Sequence, residues 1–92
     1  APLTLLRVLH TCLAPGGRII LETYGVAGEQ GTPCVLVHEP GDVYARDDAV
    51  YWGFSRASLD RLSRVAGLRG FELLVAPMIA GHPRIVGTLE GG

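Results

Sequence analysis

Ninety-two residues make at most one small domain, which buries only about 60–65% of the surface its unfolded chain exposes. With 48% hydrophobic and 18% charged residues the composition is globular, and a net charge of −1 sets up no field that would draw nucleic acid or anionic lipid. No run approaches the roughly 18–20 apolar residues of a membrane span and no basic-then-apolar signal opens the sequence, so the expected location is the cytoplasm.

The first predicted element is an amphipathic helix over Ala1–Leu13. Leu5, Leu6, Leu9 and Leu13 form its apolar stripe, Thr4, Arg7 and Thr11 face away, and Pro2 sits in the first turn, where a missing N–H costs nothing. Pro15-Gly16-Gly17 ends it, because proline cannot continue a helix and glycine takes positive φ freely. Ile19, Ile20 and Leu21 follow without alternation. That pattern predicts a strand over Arg18–Thr23, buried on both faces of a mostly parallel sheet.

From Tyr24 to Gly53 the chain is punctuated by Gly25, Gly28, Gly31, Pro33, Pro40, Gly41 and Gly53. Cys34–His38 reads as a short strand and Pro40-Gly41-Asp42 as a turn. A connection of about thirty residues is long for so small a chain, and long connections more often serve as lids or substrate loops, here about 24–54. Tyr44, Tyr51 and Trp52 supply flat apolar area with polar tips at its end. Such aromatics either stack on a ligand or pin the loop to its own core.

Ser55 is an N-cap for a helix over Arg56–Ala66, with Leu59, Leu62, Val65 and Ala66 inward and Arg56, Asp60, Arg61 and Arg64 outward. Gly67 ends it in the left-handed C′ position, and Leu68 folds back. Phe71–Val75 reads as a strand, Ala76–His82 as a turn and Pro83–Leu89 as a final strand antiparallel to the one before. The last strand then inserts between the first two, which a right-handed crossover connects. Cys12 and Cys34 lack zinc-site spacing and read as free thiols, and His10, His38 and His82 have no ligand spacing, so no metal is expected.

This pattern resembles the C-terminal part of class I S-adenosylmethionine-dependent methyltransferases. The motifs are Leu13-Ala14-Pro15-Gly16-Gly17-Arg18, Leu21-Glu22-Thr23, Pro40-Gly41-Asp42-Val43-Tyr44-Ala45 and Val50-Tyr51-Trp52 before the Ser55-capped helix. Together they are similar to the wobble-uridine tRNA carboxymethyltransferases and their relatives, from about Leu3 to Leu89. The resemblance implies a Rossmann-like α/β fold, present here as helix, strand, lid, helix and antiparallel strand pair. The donor would be S-adenosylmethionine or carboxy-S-adenosylmethionine. The family's glycine-rich cofactor loop and its acidic strand end lie upstream of any residue in this sequence, so residues 1–92 read as a partial, C-terminal domain, inactive alone, whose partner is the missing N-terminal half or a second copy.

Candidate site residues follow. Glu22, Thr23 and Tyr24 end the first strand, on the side where open α/β sheets bind ligands; a Glu there otherwise serves as a solvated tip. By resemblance, Arg84 aligns with an arginine that carboxymethyltransferases use against the carboxylate of their donor, which suits a guanidinium fork. Tyr44, Tyr51 and Trp52 complete the substrate-side set; no catalytic residue is assigned. Eight arginines without a lysine, offset by nine acids, argue against an RNA face, so the acceptor is left as tRNA or a small molecule. The alternative class is a non-catalytic module that recruits a strand to an exposed sheet edge.

Overall fold

The computed structural model describes residues 2–26, 30–37, 52–79 and 81–92. In chain order these form α1 (Pro2–Cys12), β1 (Arg18–Tyr24), β2 (Val35–Val37), β3 (Trp52–Phe54), α2 (Arg56–Val65), β4 (Phe71–Val75), β5 (Met78–Ile79) and β6 (His82–Glu90).

Helix α2 starts where it does because its first amide donors all find acceptors. The Ser55 hydroxyl accepts from Ser58 N–H at 3.2 Å, the Gln30 side-chain oxygen from Arg56 N–H at 3.0 Å, and the Gln30 backbone carbonyl from Ala57 N–H at 3.1 Å. It stops at Gly67, whose φ of +95° lets Leu68 N–H reach the Ser63 carbonyl and Gly67 N–H that of Arg64. That bond pair is a Schellman cap, as the glycine predicts. Val65, expected inward, is exposed, while Ser63 is buried with its hydroxyl on the Leu59 carbonyl at 2.6 Å.

The main sheet has the order β1-β6-β4, and β6 runs antiparallel to both neighbours, so β1 and β4 are parallel to each other. The last strand is therefore inserted between two earlier ones, as its hairpin-length connection suggests. Ala76–His82, expected as a turn, also contains β5, which pairs with the first residues of β6. A separate arm forms where β2 pairs antiparallel with β3, and a parallel bridge from Gly25 to Phe54 ties it to the end of β1. Within the span expected as a lid, 24–54, the described residues include strand segments at both ends. Tyr24 belongs to β1, and Trp52–Phe54 is a strand that the glycine at its centre, Gly53, concealed. Residues 38–51, including the expected Pro40-Gly41-Asp42 turn, lie outside the described residues.

Both helices send side chains to one face of this sheet. Leu6 of α1 and Leu59 of α2 meet Phe71, Ile85, Leu89 and Phe54 in one buried cluster. Gly87, at the centre of β6, makes room for it: a Cβ there would land on the Phe71 ring and the Glu72 carbonyl. The α1 stripe is Leu3, Leu6, Leu9 and Leu13, whereas Leu5, expected in it, is 54% exposed because its neighbour Leu6 takes the inward position.

The opposite face of the sheet carries no helix among the described residues. Strand β1 accordingly alternates instead of being buried on both sides, and Ile20, directly opposite Thr88, is 73% exposed. This corrects the reading of Ile19–Leu21 as doubly covered. An unbroken apolar triplet does not reveal how many layers lie against it.

Candidate functional site

At the carboxyl end of β1 three side chains from the expected set come together on the uncovered face. Tyr24 stands directly opposite Arg84 in the β1–β6 register, and Glu22 is two residues back on the same face. The Arg84 guanidinium donates from Nε to Glu22 Oε1 at 2.9 Å, its Nη2 lies 2.6 Å from the same oxygen, and its Cζ lies 4.1 Å from the centroid of the Tyr24 ring. The carboxylate and the aromatic ring fix the arginine from two directions. Each contact contributes modestly at a partly exposed site, about 0.5–1 kcal/mol. Their joint effect is orientation: the Arg84 side chain is only 22% exposed, against 49% for Glu22.

Two of the five guanidinium donors are engaged by Glu22, and the fork can present others to a second carboxylate or a phosphate. Thr23 does not join this group. It pairs with Ile85 and so lies on the helix-covered face, since successive strand residues point to opposite sides. Trp52 lies on β3 opposite Val37, more than a third exposed. Tyr44 and Tyr51 fall outside the described residues.

The fit to an S-adenosylmethionine donor is partial. A nucleotide-like cofactor is commonly held at a helix N-terminus. Here the N-terminus of α2 is closed by Ser55 and Gln30, and the Ser55 hydroxyl, fully buried, also accepts from Cys34 N–H at 3.0 Å. Arg84 suits a carboxylate, and nothing among the described residues makes a cradle for a ribose or a base.

The opposite end of the sheet carries a polar cleft lined in part by Arg18, Arg64, Arg69, Asp60 and Glu90, which sequence reasoning did not single out. These five charged residues are already paired with one another. Arg64 Nε donates to Asp60 at 3.1 Å, and Arg18 and Arg69 approach Glu90 at 3.9 and 3.6 Å. Asp60 also accepts from Phe71 N–H at 3.1 Å, which ties the start of β4 to α2. Among the described residues no group of three or more His, Cys, Asp or Glu side chains is placed to hold a metal, and no helix is long and apolar enough to cross a membrane.

Compared with protein-family models, with curated proteins and with solved structures, the chain matches none.

Proposed function

We propose that this chain is the acceptor-side, C-terminal segment of a Rossmann-like S-adenosylmethionine-dependent methyl or carboxymethyl transferase, with a tRNA or a small molecule as acceptor. The observation that carries the reading is Arg84 held at the carboxyl end of β1 by Glu22 and Tyr24, on the strand inserted between two parallel ones. When bound, the donor supplies an electrophilic carbon on a sulfonium. The donor would offer that carbon to an oxygen or nitrogen nucleophile of the acceptor, with the thioether as the leaving group. The chain's share is positioning: Arg84 would hold a carboxylate of donor or acceptor by paired hydrogen bonds, and Glu22 and Tyr24 would fix the guanidinium beforehand.

The test joins this chain to the glycine-rich donor-binding half of a methyltransferase that lacks its own last three strands, and follows transfer of a labelled methyl group. Transfer above that of the half alone is expected. Arg84→Ala should lower transfer at least tenfold with a carboxylated donor or acceptor, a loss of about 1.4 kcal/mol or more. A folded chimera that transfers no more than the half alone would defeat the reading.

A second reading, a non-catalytic module that pairs strands at a sheet edge, is favoured by one observation. Strand β1 is regular over seven residues, and among the described residues its Arg18–Leu21 stretch is paired only with β6, while β3 lies beside its carboxyl end through the Gly25–Phe54 bridge.

A further inference from the structure

The polar cleft at the amino end of β1 and β4 is small, about 270 Å³, and its lining includes three arginines and three acids. Arg18, Glu72 and Glu90 reach it from the uncovered face of the sheet, where Arg18 pairs with Glu90 and Glu72 with Thr88 in neighbouring rows. Arg69 precedes β4, and Asp60 and Arg64 come from α2. Gly70, with a φ of +133°, keeps the corner between them open. A Cβ there would land on Asp60 Oδ1 and come within 3.2 Å of Arg64 Nη2.

The charges balance in number but not in arrangement. Asp60 is satisfied by Arg64 Nε and by Phe71 N–H, each at 3.1 Å. Glu90 is shared: Arg18 and Arg69 approach it at 3.9 and 3.6 Å, too far for a hydrogen bond, so both guanidiniums keep their donors. Glu72 has no ion pair and no side-chain hydrogen bond among the described residues. Its row of the sheet offers only Thr88 and Ile20. The cleft therefore sets two cations around one acid and leaves a second acid alone.

We infer that this cleft binds a small zwitterion, an α-amino acid, with its carboxylate on Arg18 and Arg69 and its ammonium on Glu72 and the Thr88 hydroxyl. A lone anion meets Glu72 and Glu90, and a lone cation meets three arginines. Only a dipolar molecule gains at both ends. A guanidinium fork gives a carboxylate paired hydrogen bonds, and an ammonium, which only donates, needs acceptors such as Glu72. Adjacent strands lie about 4.8 Å apart, so Glu72 on β4 and Arg18 on β1 stand two such spacings apart across β6. Their long side chains and one amino acid fill that gap. The volume falls below the roughly 300–1,000 Å³ of sites for drug-sized ligands, which favours an amino acid over a nucleotide. The cleft lies at the end of the sheet away from Arg84, and the inference stands independently of the transferase reading.

The test titrates glycine and L-alanine into the full chain, with acetate and methylammonium as single-charge probes, and follows amide chemical shifts residue by residue. Saturable shifts at Arg69, Glu72, Thr88 and Glu90 are expected in the millimolar range or below. The amino acids should bind at least about tenfold more tightly than either single-charge probe. Glu72→Gln should weaken amino-acid binding at least about tenfold and leave acetate binding no weaker, whereas Arg69→Gln should weaken both. Both side chains are exposed, so the variants are expected to keep the fold, which the remaining amide shifts report. The probe comparison uses the unaltered chain and decides even where a variant fails to fold. No saturable shift up to tens of millimolar, or shifts confined to residues outside the cleft, would overturn the proposal. So would acetate or methylammonium binding as tightly as the amino acids, or amino-acid binding that Glu72→Gln leaves intact.

Discussion

Ser55 illustrates how one side chain joins distant parts of this chain. Its fully buried hydroxyl accepts from Ser58 N–H within α2 and from Cys34 N–H just before β2, while Ser55 N–H donates to the Cys34 carbonyl. The residue is a helix cap and also the hinge on which the β2–β3 arm meets the domain. Ser55→Ala leaves two amides short of an acceptor, so we expect a loss of about 1–3 kcal/mol, read from urea denaturation. A loss no larger than that of an exposed serine would show that water replaces the hydroxyl. Arg84 is the other residue of this kind. Its hydrogen bond to Glu22 spans 62 positions of sequence, so no local pattern foretells it. The resemblance singled out Arg84 and the strand end singled out Glu22, and their contact comes from the β1–β6 register.

Among the elements, α1 tests how far a stripe can be read from leucine spacing. Leu5 and Leu6 are adjacent, and spacing to Leu9 and Leu13 is compatible with either at the centre of the buried face. Packing selects Leu6, together with Leu3. Leu6→Ala should cost about 2–5 kcal/mol by opening a cavity in the main cluster, whereas Leu5→Ala should stay within about 0.5 kcal/mol. Thermal unfolding of the two variants decides between them, and equal losses would contradict this packing. Strand β3 is the converse case. Trp52-Gly53-Phe54 is too short and too close to glycine to announce a strand, and it exists because β2 and the end of β1 offer it partners.

At the scale of the molecule, the described residues form a two-layer α/β unit in which α1 and α2 cover one face of a three-stranded core sheet extended by β5. Strand β6 is the only strand of that core with a neighbour on each side, and Ile85 and Leu89 on it are almost wholly buried. Its amides should therefore exchange slowest, and those of the β2–β3 arm, which one backbone bridge ties to the core sheet, should exchange faster. Residue-resolved hydrogen exchange checks this, and an arm as protected as β6 would mean that it folds as one unit with the core. The uncovered face has Ile20 and Val75 on it, and it is the same face that holds Arg84, Glu22 and Tyr24.

Starts and stops were legible from residues a few positions apart: the Ser55 cap, the Gly67 stop, the break at Pro15-Gly16-Gly17, and Phe71–Val75 as a strand. These depend on backbone geometry and on hydrogen bonds closed within one turn, so nearby side chains suffice to specify them. The insertion of β6 between β1 and β4 could also be anticipated, because a short connection leaves few places for a returning strand. Which face of β1 is covered, which of two adjacent leucines points inward, and where Trp52 falls were not legible. Those outcomes depend on what lies against an apolar side chain, and burial is a property of neighbours brought together by the fold.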